Sequence, residues 1–313
     1  MQTLESNSKY PSYLKFELSN INTVIVNTLR RVCYSDIPTF SFDTINVKEN
    51  TSIYNNNKIS YRIQQLPINI SPKINILEKK EKNESKKDND DDFAIGLDNF
   101  ALTNETDYQD EKLQNITCYF KLENNTNNIM NITTNEGVYH YKGKKIDPPF
   151  HKPVLILKLN PNEKIEFEAT SSIDTEINKS NHSALKIMTF KMVNDNKYII
   201  DMESRGQISE KEILIIACKN IIHQLNQIYN ELNDKMDNEG IIEMYNQDHT
   251  MGNLIMEGLL KHENIQYATY RMPHPLERKI ILQYKVIKGE FKKIFKDMTE
   301  DYTKIFEKIS KLF

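Results

Sequence analysis

Cysteine is scarce: the 313 residues hold three, Cys33, Cys118 and Cys218. An odd number, so widely scattered, builds neither a disulfide framework nor a paired-thiolate zinc site, and all three read as small buried apolar residues. Glycine is also scarce, and its eight copies are dispersed with no spacing that cradles a phosphate. Positive charge is not in excess, because 41 Lys and Arg face 44 Asp and Glu for a formal net charge of -3. A domain that grips nucleic-acid phosphates by itself typically has a pI above about 9, whereas this chain has a pI near 6.2. Neither a nucleic-acid-binding module nor an autonomous enzyme is therefore the first reading. No apolar run reaches the roughly 18 residues that cross a bilayer, and the opening "MQTLESNSKYPSYLKFELSN" lacks the basic-then-apolar order of a leader. The expectation is an intracellular protein not integral to a membrane. Asn-x-Ser/Thr triplets such as Asn115-Ile116-Thr117 then read as chance products of an Asn-rich chain.

What is present is a globular composition, 38% hydrophobic and 27% charged, long enough for two or three cores of about 100–200 residues each. "SYLKFELSN" alternates as a strand, and Ile21, Ile25, Leu29 and Val32 then line one face of a helix. Arg30 and Arg31 lie off that face. Pro38 stops the helical region, "TFSFDTINVKEN" alternates again, and "KISYRIQQLPINI" reads as a further extended piece. The run "KKEKNESKKDNDDD", residues 79–92, carries no apolar residue and cannot offset its ordering entropy, so a solvated loop is expected there rather than a metal cluster. From Phe93 to His182, strand-like pieces such as "NITCYFKLEN", "KPVLILKLN" and "KIEFEATSS" suggest an inserted β-rich domain. "ALKIMTFKMV" and "KYIIDMES" read as strands, and Ser209 with Glu212 marks the start of a long helix.

That helix sets Leu214, Cys218, Ile221, Leu225, Ile228 and Leu232 at alternating steps of four and three. The C-terminus repeats the pattern with Phe291, Phe295, Met298, Tyr302, Ile305, Ile309 and Leu312. An apolar seam of mean period 3.5 lets two long helices pack side by side, although each could instead cover its own sheet. Strand, helix, strand and long helix therefore occur twice, the first copy interrupted by the insert. The second copy begins at "NQDHTMGNLIMEGLL", where Asp248 or Thr250 can cap a helix and Gly252 leaves room for a neighbouring backbone. "YRMPHPLER" follows a strand, and its prolines restrict the backbone as at a sheet edge. His249 and His274 have no acidic or cysteine neighbour at a recurrent ligand spacing, so they read as structural rather than as metal or acid–base groups.

"NQDHTMGNLIMEGLL" with "YRMPHPLERKI" resembles the eleventh-subunit family of eukaryotic and archaeal DNA-directed RNA polymerases. Met251 and Met272 are conservative departures from that family's helix-start and strand motifs. "NTLRRVCYSDIPTFSFDTINVKENTS", "YRIQQLPI" and "YIIDMESRGQISEKEI" are similar to the third-largest subunit of the same polymerases, relatives of the bacterial alpha subunit. There Tyr61 and Gln64 depart from the family pattern. The resemblance implies an α+β protein in which two alpha-like units form an intramolecular pseudo-dimer. The first unit spans 1–72 and 183–233, the β-rich insert 73–182, and the second unit 234–313.

The implied function is a non-catalytic assembly platform of the polymerase, and the alternative is a stand-alone nucleic-acid-binding or viral structural protein. The implied partners are the largest and second-largest subunits and a small tenth-subunit-like protein. DNA and RNA are met only through the complex, and no homo-oligomer is needed. Asn27, Arg30, Arg31, Pro38, Thr39 and Arg62 are the expected partner-binding residues, the arginines clamping carboxylates or carbonyls of a large subunit. Asp248, His249, Thr250, Gly252, Asn253, Arg271, Pro273, His274 and Pro275 form the second unit's structural motif. Half–half packing falls to Leu214, Ile221, Leu225, Ile228 and Leu232 against Phe295, Met298, Tyr302, Ile305 and Ile309. Cys118 is the only cysteine of the insert, so the metal loop some relatives carry is not expected, and no cofactor is implied. Fusion of two subunits into one chain resembles nucleocytoplasmic large DNA viruses. That points to the host cytoplasm (viral factories) or the virion, and to the nucleus for a cellular or nuclear-replicating source.

Overall fold

A computed structural model describes residues 2–6, 12–70, 115–233 and 236–313. The charged run 79–92 lies outside the described residues. In chain order the elements are β1 (Gln2–Ser6), β2 (Tyr13–Ser19), α1 (Thr23–Ser35), β3 (Thr39–Asn50), α2 (Asn56–Gln64), β4 (Ile116–Glu123), β5 (Met130–Thr133), β6 (Val138–Tyr141) and β7 (Lys144–Ile146). They continue with β8 (Leu155–Leu159), β9 (Lys164–Asp174), β10 (Leu185–Asn194), β11 (Lys197–Ser204), α3 (Glu210–Glu231), β12 (Glu239–Tyr245), α4 (His249–Leu260), β13 (Ile265–Arg271), β14 (Lys279–Val286) and α5 (Phe291–Ser310). Sheets and helices are mixed along the chain, which is the expected α+β class.

The chain divides into two compact units. One comprises Met1–Ile37, Leu185–Glu203 and Ser209–Phe313, the other Pro38–Ala184 and Ser204–Ile208. Within the first unit a single topology occurs twice. One sheet has the order β1-β2-β11-β10 and the other β12-β14-β13, so the strand before each helix sits beside the last strand of its own copy. Side-chain alternation fixes which face is covered: Leu14, Phe16 and Leu18 of β2 and Tyr198, Ile200 and Met202 of β11 are buried. Three of the unit's four helices start on a polar cap, Asn22 for α1, Ser209 for α3 and Asp248 for α4, whose side chain accepts a backbone N–H of the first turn, whereas α5 starts at Glu290 without a side-chain cap. Helix α1 ends at the cap Asp36, whose N–H bonds the Val32 carbonyl, two residues before Pro38.

The second unit is a five-stranded sheet, β3-β9-β4-β6-β7, with the pair β5-β8 and helix α2. Its core gathers Phe40, Phe42, Ile59, Ile63, Phe120, Tyr139 and Phe167. Two expectations are corrected here. "KISYRIQQLPINI" is not extended at its start, because Asn55 caps Lys58 N–H and α2 follows, burying Ile59 and Ile63 four residues apart. The boundary at 72 also moves, since β3 pairs with β9 from Thr39↔Asp174 to Asn50↔Ile165. That ladder makes Pro38 onward part of the insert's unit. The sequence after 234 shares one compact unit with the first copy. Cys33, Cys118 and Cys218 are all free and buried, and burial pushes the Cys118 and Cys218 thiols up to about 12, leaving them protonated and inert.

One polar cluster pins the second unit. Asp43 of β3 accepts hydrogen bonds from the Lys179 ammonium at 2.7 Å and the Asn181 amide at 2.9 Å, and from the Ser172 hydroxyl. His182, wholly buried, places Nδ1 2.8 Å from the Thr39 carbonyl oxygen and Nε2 3.3 Å from Asp43. Burial raises the Asp43 pKa, but the hydrogen bonds from His182, Lys179, Ser172 and Asn181 outweigh it and hold the carboxyl well below the usual carboxylate range. A depressed folded-state pKa gives stability that is complete above the unfolded value of about 4 and is lost as pH falls below it. We expect Asp43→Ala to cost about 2 kcal/mol at neutral pH. In urea denaturation the gap to wild type should narrow at about pH 3, and a constant gap would contradict this.

Candidate pairing interface

The first unit's core is built from helices of both copies. Helix α3 of the first copy lies against α5 of the second, α1 packs on α3 and α4, and α4 also meets α5. Apolar residues recur at helical spacing on the facing sides. Helix α3 buries Ile213, Leu214, Ala217, Cys218, Ile221, Leu225 and Ile228, and α5 buries Phe291, Ile294, Phe295, Met298, Tyr302, Phe306 and Ile309. Leu232 is buried just beyond α3, and its carbonyl accepts a bond from Lys292 Nζ at 3.0 Å. Phe16 of β2 meets Phe313 edge-on with ring centroids 5.1 Å apart.

The expected seam differs from this at two places, Ile305 and Leu312, the latter exposed beyond the end of α5. Ile305 is only half-buried, while Phe306, absent from the expected set, is fully buried. A straight helix of 3.6 residues per turn drifts about 20° per heptad against a 3.5 repeat, about 60° over the nearly three heptads of α5, so towards its end the covered face takes in the following residue. A wider stripe at i, i+3 and i+4, rather than a strict heptad, would have found Phe306.

Two polar contacts cross between the copies at their first helices. Asp248, the cap of α4, accepts the Thr250 N–H at 2.7 Å and the Thr250 hydroxyl at 3.0 Å. Arg31 of α1 donates from Nη2 to Asp248 at 3.0 Å and from Nε to Thr250 Oγ1 at 2.6 Å. Burial raises the Asp248 pKa, but the Thr250 hydrogen bonds and then Arg31 outweigh it and hold the carboxyl below its ordinary value. In the reciprocal contact Asn22, the cap of α1, accepts Val24 N–H at 3.1 Å and donates to Glu257 of α4 at 2.6 Å.

The remaining motif residues separate into packed and exposed ones. A Cβ at Gly252 would fall 2.7 Å from the Tyr270 ring, and the His249 ring meets the same tyrosine at 5.8 Å. Asn253 is half-buried, whereas Arg271, Pro273, His274 and Pro275 are exposed. His274 Nδ1 accepts the Leu276 N–H at 3.2 Å, which closes the turn locally. Among the described residues no group of three or more His, Cys, Asp and Glu is arranged to hold a metal ion, and no helix is long and apolar enough to cross a membrane.

The residues expected at a partner surface divide as well. Asn27 and Arg30 are half-buried and bonded to each other on α1, Arg30 Nη2 to Asn27 Oδ1 at 3.0 Å. Arg62 is exposed on α2, beside a shallow hollow lined by Tyr61, Gln65, Leu66, Pro67 and Leu155. Three residues are corrected. Arg31 is spent on Asp248 and Thr250. Pro38 is buried, and so is Thr39, whose hydroxyl donates to the His182 carbonyl at 2.8 Å. Sequence alone gives Thr39 a hydroxyl and a turn beside it, and only the β3–β9 pairing decides that it points inward.

Comparison with known proteins finds the RNA polymerase Rpb3/Rpb11 dimerisation domain twice, over residues 15–225 and 239–312. A protein of Acanthamoeba polyphaga mimivirus named as a DNA-directed RNA polymerase subunit is 25% identical over 91% of this chain and 85% of its own length. The RNA polymerase II subunit RPB11 of Caenorhabditis briggsae is 42% identical over 18% of this chain and 47% of that protein. The rpac1 subunit of RNA polymerases I and III of Dictyostelium discoideum is 33% identical over 21% of this chain and 19% of that protein.

The drift of the seam is testable by truncation. Phe306→Ala should destabilise the fold by about 3–5 kcal/mol, as for other buried aromatics, and Ile305→Ala by about 1 kcal/mol. Equal losses in thermal denaturation would restore the strict heptad.

Proposed function

The chain belongs to the RNA polymerase Rpb3/Rpb11 dimerisation family, and from that footing we propose that it is the assembly platform of a multisubunit DNA-directed RNA polymerase. The observation that carries this is the single core shared by helices of two dimerisation domains in one chain. Apolar seams on α3 and α5 are the pairing surfaces, and burying them is the main favourable term. The covalent link makes the pairing intramolecular, at an effective concentration up to roughly millimolar. A preassembled pair then offers its outer surfaces to other subunits.

The partners in this reading are the two large catalytic subunits and a small tenth-subunit-like protein. Asn27 holds the Arg30 guanidinium by its Nε and Nη2, which lowers the entropy that arginine loses on meeting a carboxylate or carbonyl. Arg62 on α2, with exposed Tyr61 beside it, supplies a second anchor of the cationic and aromatic kind enriched at interfaces. The chain itself is non-catalytic in this account and meets DNA and RNA through the complex. Similarity to the mimivirus polymerase subunit supports a location in viral factories or virions in this reading.

Arg30→Ala with Arg62→Ala should leave the isolated chain folded, with an unchanged circular dichroism spectrum. The same double variant should lower co-purification of the large subunits roughly ten-fold or more, the loss of two interface anchors. Undiminished capture would contradict the assigned surface.

A further inference from the structure

The two polar contacts between the first helices of the copies are one contact seen twice, with different chemistry. Arg31 lies nine residues after its cap Asn22, and Glu257 lies nine residues after its cap Asp248. Each cap touches the other helix's ninth position, Asp248 with Arg31 and Asn22 with Glu257. Such reciprocity, in which i meets j and j meets i, is the signature of a two-fold interface. Here it joins two unlike halves. The second-copy cap is a carboxylate and faces a guanidinium, while the first-copy cap is an amide and faces a carboxylate.

Exchanging partners changes the sign of these contacts. If the second halves of two chains paired, Asp248 would face the other chain's Glu257 at both ends, setting carboxylate against carboxylate in a partly buried place. If two first halves paired, Arg31 would face the neutral Asn22 twice, and its second acceptor would vanish because Val24 stands where Thr250 stands in the other copy. Lys261 reaches Glu257 at 3.7 Å from its own helix and would follow it into any pairing. An exposed i,i+4 pair of this kind offsets little of the repulsion. The apolar seams carry no such distinction, since Leu, Ile and Phe faces tolerate one another in many combinations.

We propose that Asn22, Arg31, Asp248 and Glu257 form a pairing code that admits first half against second half and rejects like-with-like pairing of halves between copies of this chain. Specificity here comes from the cost of the wrong pairs as much as from the gain of the right one. The code deepens the platform reading and rests on it.

The wrong pairs can be written into the full-length chain. Arg31→Glu places a carboxylate against Asp248 and reproduces one contact of a second-with-second pair. Asp248→Asn sets an amide cap, still able to cap α4, against Arg31 and reproduces one contact of a first-with-first pair. Both together rebuild the chemistry of Asn22 with Glu257. In urea denaturation, Arg31→Glu is expected to lower the folding equilibrium constant roughly ten-fold or more and beyond Arg31→Ala. Asp248→Asn alone should lower it by less. The double variant should return to within about three-fold of wild type, and added salt should shrink the Arg31→Glu loss.

The code is overturned if Arg31→Glu matches Arg31→Ala, or if Asp248→Asn fails to recover the Arg31→Glu loss, failure of the double variant to fold included. Large-subunit capture by the double variant separates the two readings. Capture retained while the recovery fails removes the code alone, and capture absent from wild type removes the platform.

Discussion

Everything in the first unit rests on the apolar contact between α3 and α5. Each copy alone is one sheet, of four strands in the first and three in the second, with two helices, and its long helix carries more apolar face than its own sheet covers. Tyr302 and Phe306 on α5 and Ile221 and Leu225 on α3 are buried at no more than 4% exposure, and α3 and α5 belong to different copies. Removing either copy would uncover the face of the long helix that the other copy covers, at about 25 cal/mol per Å². Joining the copies in one chain therefore supplies each with the surface it needs to fold.

That constraint also explains the division of labour between apolar and polar residues. The seam holds the halves together but has little power to choose between partners. Discrimination falls to a few polar groups at the first helices, where Thr250 and Asp248 are fixed by capping before Arg31 reaches them. Glycine at 258 works beside them in the same unit. A Cβ there would lie 2.6 Å from the Tyr302 ring and 2.7 Å from Met298, so α4 and α5 approach more closely than any side chain would allow. Tyr302 then donates its hydroxyl to the Leu254 carbonyl at 3.0 Å, which satisfies a polar atom buried by this close approach.

Much of this was legible in the residues. Alternation located β2, β3, β9 and β11, capping chemistry located the starts of α3 and α4, and the four-and-three steps identified the two long helices. What failed depended on distant pairing or on slow drift. Helix α2 was obscured because Ile59 and Ile63 are its only buried apolar residues within nine, too few to separate a helical from an extended pattern. The unit boundary is set by the β3–β9 ladder, which joins residues more than a hundred positions apart and leaves no local mark in the sequence. Its spacing shows Arg31 to lie off the apolar stripe. Periodicity cannot say whether an off-stripe arginine faces water, a partner subunit or a cap more than two hundred residues along the chain.

The most direct test of the shared core is to cut the link between the copies near Asp237 with an engineered protease site and apply the nicked protein to gel filtration. The two fragments should elute together at the size of the intact chain, held by the α3–α5 seam. Separation into two folded fragments would contradict the account, because neither copy would then need the other.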